Sequence, residues 1–457
     1  MPEIKLCFLW HMHQPLYKDL VSGEYRLPWT RLHALKDYYG MVKILEDFPE
    51  IHQTFNLVPS LLVQIEEYAS GKASDPFQKL ASKPAEDLTV SEIEMLLKYS
   101  FQANEERVIR RFPRYAELFH ILQRNDHNVQ RALPSFDTQM FRDLQVLSQL
   151  AWFDEYYLEH DREVKALVDK SRNYSREDQA LIARKEGEAL GKVLDVYRDF
   201  AQRGQIELST SAYYHPILPL ICDSNIAHAA HPYVSLPAQF AYPQDAQEQL
   251  QRARTYMASR FGVTPSGLWP SEGAVSDATL AVASQAGFSW TASDNQVLAR
   301  TLDVELPVGA GYQPYRWTQA QNSIDVVFRD RRLSDLIALV YSHMEPAEAA
   351  SHFVKEVHRS CESVLKSGRD ALVPIILDGE NAWESYVRNG RPFLRELYSR
   401  LAKDPLISAL TMSEGIQTLP KRELTHVFPG SWIDASFDVW IGAEEDNLAW
   451  EHLLEAR

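Results

Sequence analysis

Short apolar runs that end in chemically functional side chains recur along the 457-residue chain. The first, residues 4–10 (IKLCFLW), stops directly before His11. This pattern is typical of a buried parallel strand that presents side chains at its carboxyl end. Further runs of this kind lie at residues 52–57, 206–210, 267–269, 289–292, 324–328 and 373–377.

Helical patterns separate several of these runs, and examples lie at residues 245–261, 276–286 and 346–367. Strands that alternate with helices along most of a chain indicate an α/β fold with a parallel sheet. The sequence therefore predicts a parallel α/β barrel.

Two regions depart from this alternation. The stretch at about 60–203 is charged and helical in period, so it predicts a helical insertion. We assign residues 1–400 to a catalytic barrel that includes this insertion, and residues 401–457 to a C-terminal helical segment that packs on the barrel. The helical pattern of residues 442–457 ends abruptly, which is compatible with a longer natural chain.

The net charge and the positions of the cysteines argue against several classes of function. A formal net charge of -16 argues against nucleic-acid and anionic-membrane partners, because both require a basic surface. No run approaches the roughly 20 apolar residues of a membrane span. Cys7, Cys222 and Cys361 lack metal-ligand spacing and leave one thiol unpaired in any disulfide scheme. The first apolar stretch is too short for a signal-peptide core, so we expect a cytoplasmic protein.

Two motifs combine histidine with polar or aromatic neighbours. HMHQP places His11 and His13 on the same side of a strand end, which suits metal ligation, hydrogen bonds to sugar hydroxyls, or local hydrogen bonds alone. The segment STSAYYHP contains Tyr213, Tyr214 and His215 after another strand. Aromatic rings at a barrel rim can stack on sugars, although buried tyrosines are commoner.

Two carboxylates follow apolar runs and have a tryptophan close by. Glu272 follows Trp269 in GLWPSEG and has the setting of a glycosidase nucleophile, although a surface loop is the usual position of a glutamate. Asp378 follows the run 373–377, where burial and a neighbouring carboxylate would raise its pKa as a general acid needs. Glu380 is two residues further on, and spacing alone does not choose between Asp378 and Glu380.

Two weaker segments complete the candidate site. Arg329 and Asp330 end the run 324–328, where they could provide salt-bridged support for the acid. Trp432 lies among polar residues in GSWIDASFDVWIG and could form a sugar platform, although tryptophans are more often core residues.

Five ordered blocks resemble glycoside hydrolase family 57, a family of α-amylases, amylopullulanases, 4-α-glucanotransferases and branching enzymes. They are HMHQP, STSAYYHPILPL, WPSEG, LDGENAWE and SWIDASFDVWIG. The resemblance spans the whole chain, and the residues of its motifs are most similar to those of the α-amylase and amylopullulanase branch. It implies an incomplete (β/α)7 barrel, retention of anomeric configuration, a helical segment after the barrel and no metal requirement.

The resemblance also assigns roles. It implies that Glu272 is the nucleophile and Asp378 the general acid and base, which decides against Glu380. The implied substrate is an α-glucan polysaccharide or a maltooligosaccharide, such as starch or glycogen. We predict that the substrate is contacted by His11, His13, His215, Trp269, Asp330, Trp383 and Trp432.

Our leading hypothesis is a retaining α-1,4-glucan hydrolase. A 4-α-glucanotransferase would use the same two carboxylates. A glucan-binding protein without turnover, and a metal-dependent hydrolase that uses His11 and His13, are alternatives from other classes.

Overall fold

The computed structural model describes residues 2–306 and 309–457. Within them, ten strands form one sheet in the order β10-β6-β7-β5-β4-β3-β2-β1-β8, and β9 pairs with β1. The strands are β1 (Ile4–Met12), β2 (Gln53–Leu57), β3 (Ile206–Thr210), β4 (Gly267–Leu268), β5 (Trp290–Asp294), β6 (Tyr315–Gln319), β7 (Asn322–Arg329), β8 (Ala371–Asp378), β9 (Ile407–Ala409) and β10 (Arg422–Leu424).

Seven strands, β1 to β5 with β7 and β8, run parallel and form a (β/α)7 barrel. No strand ladder joins β7 to β8 among the described residues. The two strands instead meet through the Asp330 amide, which donates to the Pro374 carbonyl at 2.9 Å, and the Arg329 side chain, which donates to the Ile376 carbonyl at 3.0 Å. The barrel is therefore incomplete in its hydrogen bonding at this seam.

Each of the seven predicted runs falls on one of these seven strands. Strands β6, β9 and β10 were not predicted. Strands β9 and β10 have only three residues each, and β6 and β10 each have two exposed residues, so none of the three has a continuous apolar signal.

Helices cover the strands and fill the region between β2 and β3. The helices are α1 (Trp29–His33), α2 (Tyr39–Lys43), α3 (Pro59–Ala69), α4 (Pro76–Ser82), α5 (Val90–Tyr99), α6 (Pro113–Gln123), α7 (Val129–Ala132), α8 (Thr138–Leu150), α9 (Glu155–His160), α10 (Arg162–Lys170), α11 (Arg176–Gly191), α12 (Val193–Gln202), α13 (Leu218–Cys222), α14 (Pro243–Phe261), α15 (Asp277–Gln285), α16 (Asn295–Leu302), α17 (Arg331–Asp335), α18 (Pro346–Lys366), α19 (Arg391–Leu401), α20 (Met412–Gln417) and α21 (Glu444–Ala456). Helices α3 to α12 occupy the region where the sequence predicts a helical insertion.

A buried ion cluster ties this insertion to α1. Arg31 is fully buried, and its guanidinium donates to Asp75 at 2.9 Å and to Glu186 at 3.3 Å. A buried charge is tolerated when it is paired and hydrogen-bonded. The cluster therefore fixes α4 and α11 against the start of the chain.

The segment after residue 400 differs from the helical segment that the sequence predicts. It contains α20 and α21, but it also supplies β9 to β1 and β10 to β6. These strands make it part of the barrel sheet. None of the helices in the described residues is long and apolar enough to cross a membrane.

Candidate active site

The strand register gathers polar side chains at the carboxyl edge of the sheet. His11 lies opposite Asp378 of β8 on one side and Asn56 of β2 on the other. Ligands of parallel α/β folds bind at this edge, since the loops after the strands meet there. The predicted histidine and aspartate motifs therefore share one site.

Glu272 follows β4 in a tight turn, with a φ of 58°. A left-handed backbone at a residue other than glycine is costly and persists only where its surroundings hold it. Trp432 holds it twice: its indole Nε1 donates to Glu272 Oε2 at 3.0 Å, and its amide donates to the Glu272 carbonyl at 2.9 Å. The Ser293 hydroxyl donates to the next carbonyl, that of Gly273, at 2.7 Å.

Asp378 ends β8 and is partly buried. The Asn381 side-chain amide donates to Asp378 Oδ2 at 2.7 Å. Asp378 lines a cavity of about 400 Å³ together with Trp432 and Arg329. A reacting bond in this cavity would therefore lie beside the carboxyl group of Asp378 and the tryptophan that holds Glu272.

Burial and the nearby Asp378 carboxylate raise the pKa of Glu272 to about 7, and the Trp432 hydrogen bond partly opposes this rise. The Glu272 carboxyl group is desolvated between Trp432 and the strand ends, which accounts for most of the rise in its pKa. The Asp378 carboxylate is therefore close enough for its charge to act on Glu272.

Three histidine rings form a stack beside these carboxyl groups. The His13 and His215 ring centroids lie 3.8 Å apart, and His11 lies 5.0 Å from His215. His11 Nδ1 lies 2.8 Å from Asn56 Oδ1, which can only accept, so His11 is assigned as the Nδ1–H tautomer. One ring nitrogen of each histidine is buried without a protein partner, which suits binding to ligand hydroxyls.

The histidines are neutral around pH 7. Burial lowers the pKa of His11 and His215, and it lowers that of His13 to about 3. Stacked, nearly parallel rings do not direct their lone pairs at one point, as metal ligation needs. No group of three or more His, Cys, Asp or Glu in residues 2–306 and 309–457 could hold a metal ion. The arrangement therefore does not fit the metal-dependent alternative.

Arg329 is a site residue that the substrate-contact prediction omitted. Its guanidinium lies 5.0 Å from the Trp432 ring and donates to Asp294 at 2.7 Å and to Asp335 at 3.1 Å. Trp269, a predicted substrate contact, is fully buried and packs edge-on against Trp432, with centroids 5.2 Å apart. The position of Arg329 at the end of an apolar run indicated a residue near the site. Its contacts could not be predicted, because its partners Asp294 and Asp335 are far apart from each other in the sequence.

Two predicted contacts are not brought to the site. Trp383 is fully buried in the core, where its indole donates to the Gly379 carbonyl at 2.8 Å and packs against Trp10. Its prediction as a substrate contact is wrong. Asp330 accepts from the Leu333 amide at 2.8 Å and from the Tyr312 hydroxyl, so its carboxylate caps α17.

Glu380, the other candidate for the general acid in the sequence, is only 2% exposed. Its carboxyl group accepts hydrogen bonds from the loop after β1 and from Tyr38. It does not line the cavity that Asp378 lines. Asp378 is thus the more accessible of the two carboxyl groups.

A parallel α/β barrel with interacting carboxyl groups, stacked histidines and tryptophans at its carboxyl edge defines a glycosidase-like class of barrel protein. A family model described as glycosyl hydrolase family 57 matches residues 7–429. The chain belongs to glycosyl hydrolase family 57.

One known protein is similar to part of this sequence, and solved structures of low sequence identity have a similar fold. The α-amylase 1 of Dictyoglomus thermophilum is 27% identical over 95 residues, which are 21% of this chain and 11% of that protein. A branching enzyme from Thermococcus kodakaraensis matches with a TM-score of 0.60 and 14% identity, over 99% of this chain and 78% of that one. A 4-α-glucanotransferase from Thermococcus litoralis matches with a TM-score of 0.53 and 16% identity, over 94% of this chain and 43% of that one. The matched regions thus cover less than half the length of the α-amylase and of the glucanotransferase.

Proposed function

We propose that the protein is a retaining hydrolase of α-1,4-glucans, of the α-amylase or amylopullulanase type. One observation carries the proposal: the carboxyl groups of Glu272 and Asp378 are close enough to interact, and Trp432 holds Glu272 in a strained turn. Family membership and the local identity to an α-amylase support the choice of substrate.

In the proposed mechanism, Asp378 protonates the glycosidic oxygen while Glu272 attacks the anomeric carbon. The bond to the leaving sugar breaks, and a covalent glycosyl-enzyme forms on Glu272. Asp378 then takes a proton from the incoming water, which cleaves the ester and restores Glu272. Two carboxyl groups about 5–5.5 Å apart in the complex would give this retaining outcome.

The protonation state of Glu272 bears on this mechanism. At pH 7 about half of the Glu272 carboxyl groups are protonated, because the pKa is about 7. The proposed mechanism requires an ionised Glu272 and a protonated Asp378. The stacked histidines are neutral, so they can accept or donate hydrogen bonds to sugar hydroxyls without adding charge.

A 4-α-glucanotransferase is the second candidate. The cavity beside Asp378 has apolar walls from Ala338, Leu339 and Ile433, and Leu339 is 68% exposed. An apolar wall next to the acid and base could seat the face of an acceptor sugar in place of water. The solved glucanotransferase with a similar barrel is consistent with this reading.

Product analysis with maltoheptaose and pullulan separates these functions. A hydrolase shortens maltoheptaose, and a transferase also lengthens it. Cleavage of pullulan reports activity on the α-1,6 bonds between its maltotriose units or on the α-1,4 bonds within them. Proton NMR of the first products should show the α anomer. Complete absence of products from wild-type protein would favour a glucan-binding role.

The cellular location is a further part of the proposal. Cys7, Cys222 and Cys361 are all buried with free thiols, which agrees with a cytoplasmic protein. Fractionation of cells that express the full natural protein would test it.

A further inference from the structure

Glu380 joins two parts of the site at a buried point. It follows the end of β8 by two residues, and its Oε1 atom accepts three hydrogen bonds. The donors are the His13 amide at 3.1 Å, the Gln14 side-chain amide at 3.2 Å and the Tyr38 hydroxyl at 3.0 Å. One carboxyl oxygen thus connects β8, the loop after β1 and the helical turn at Tyr38.

The orientation of Gln14 is itself fixed. The Tyr17 hydroxyl donates to Gln14 Oε1 at 3.0 Å, so the Gln14 amide nitrogen is turned toward Glu380. The position of the His13 backbone therefore depends on Glu380 both directly and through its neighbour.

Burial and the neighbouring carboxylates disfavour a negative charge on Glu380, and they outweigh the hydrogen bonds from Gln14 and His13, which favour it. All three donors are neutral groups, and Oε2 is buried without a partner. The charged groups that face it are the carboxylates of Asp378 and Asp37, and burial with Asp378 raises the pKa of Glu380 well above its usual range. The other titratable groups that interact electrostatically with Glu380 are Tyr17, Tyr38 and Tyr197.

A buried carboxylate without a cationic partner is costly and normally takes up a proton. A neutral carboxyl group keeps its carbonyl oxygen as an acceptor, so the three hydrogen bonds to Oε1 need no charge. Neutrality also keeps a second negative charge away from Asp378.

We propose that Glu380 is a positioning residue that remains neutral throughout turnover and holds the His13 loop beside Asp378 through its Oε1 atom. The inference rests on the proposed function only in that Glu272 and Asp378 carry the chemistry. The side chain gives and takes no proton in the reaction.

Kinetics of Glu380→Gln, Glu380→Ala and Asp378→Asn on maltoheptaose test this role. Glutamine keeps the acceptor oxygen and is neutral, so Glu380→Gln should stay within about threefold of wild-type kcat/KM, with an unchanged pH profile. Loss of the anchor in Glu380→Ala should lower kcat/KM by about 100-fold. Asp378→Asn should lower it by about 100- to 10,000-fold through loss of the acid.

Tyr38→Phe removes one of the three donors and serves if Glu380→Ala does not fold. Its matched control is Tyr115→Phe, since Tyr115 is equally buried but donates to the Ser100 carbonyl in the helical insertion. Tyr38→Phe should reduce kcat/KM more than Tyr115→Phe. Equal effects, a shifted pH profile in Glu380→Gln, or a loss in Glu380→Gln as large as in Asp378→Asn would overturn the inference.

Two measurements do not depend on turnover and separate this inference from the proposed function. The infrared difference between wild-type protein and Glu380→Gln at pH 7 should contain the band of a protonated carboxyl group. A crystal structure of Glu380→Ala should show a displaced His13 loop, and one of Glu380→Gln should not. A carboxylate band, or an undisplaced loop in Glu380→Ala, would overturn the inference even if no glucan is cleaved.

Discussion

At the scale of single residues, the chemistry depends on the charge of Glu272. Its pKa of about 7 reflects burial and the repulsion from Asp378, while the Trp432 indole favours the ionised form. A nucleophile must be ionised, whereas one proton must remain on the pair for the acid. The effects of Asp378 and Trp432 on the pKa of Glu272 can be measured separately, because each side chain can be substituted alone.

Asp378→Asn should lower the pKa of Glu272, since it removes the negative charge that disfavours ionisation. A fluorinated α-glucosyl donor with an activated leaving group labels the nucleophile without needing the acid. Its inactivation rate should fall below about pH 7 in wild-type protein, because Glu272 becomes protonated there. In Asp378→Asn this acidic limb should move to lower pH, and an unmoved or raised limb would contradict the coupling.

Trp432→Phe should have the opposite effect on the pKa of Glu272. It removes the donor to Oε2, so the pKa should rise further, and kcat/KM at pH 7 should fall by about 10- to 100-fold. Trp440→Phe is the matched control, because Trp440 is also partly buried but packs in an apolar cluster with Phe437. The same pH titration applied to both variants should shift only in Trp432→Phe.

At the scale of elements, Arg329 stabilises the seam between β7 and β8. It ends β7, donates to the Ile376 carbonyl of β8, and pairs with the buried Asp294 at the end of β5. Its guanidinium also lies over Trp432. One side chain therefore links the seam of the incomplete barrel to the residue that holds Glu272.

Arg329→Met should lower the free energy of unfolding by about 3 kcal/mol, because the buried Asp294 carboxylate loses its partner. Urea denaturation measures this change. Arg329→Met with Asp294→Asn should recover part of the loss. Arg316→Met, at a more exposed pair with Asp325, should cost less than about 1 kcal/mol. Similar losses for both arginines would contradict the role of Arg329 at the seam.

The sequence predicted the elements better than the contacts. Apolar runs are detectable because barrel strands are buried on both faces, whereas β10 is mostly exposed and has no such signal. A buried tryptophan and a ligand-facing one look alike in sequence, so Trp383 was assigned to the site and belongs to the core. The partners of Arg329 lie on β5 and α17, and only the fold brings them together.

At the scale of the whole molecule, the site lowers stability at neutral pH. The pKa of Glu272 rises from 4.5 to about 7 on folding, so ionisation favours the unfolded chain as the pH rises through this window. The stability that the protonated form has below pH 4.5 is lost progressively up to about pH 7. An uncharged side chain at position 272 would not suffer this loss.

Glu272→Gln should therefore be more stable than wild-type protein at pH 8, by up to about 3 kcal/mol relative to the difference at pH 4. Thermal and urea unfolding at both pH values measure this difference. Glu423→Gln, at an exposed glutamate, should behave like wild-type protein at both. A stability gain that is equal at pH 4 and pH 8 would show that ionisation of Glu272 is not its cause.

In the proposed mechanism, Glu272 forms a covalent glycosyl-enzyme with assistance from Asp378. Incubation of Asp378→Asn with a fluorinated α-glucosyl donor, followed by proteolysis and mass spectrometry, can detect this intermediate. We expect a single added glycosyl group on the peptide that contains Glu272, and none in the double variant with Glu272→Gln. A glycosyl group on another residue, or none while the donor is consumed, would show that Glu272 is not the nucleophile.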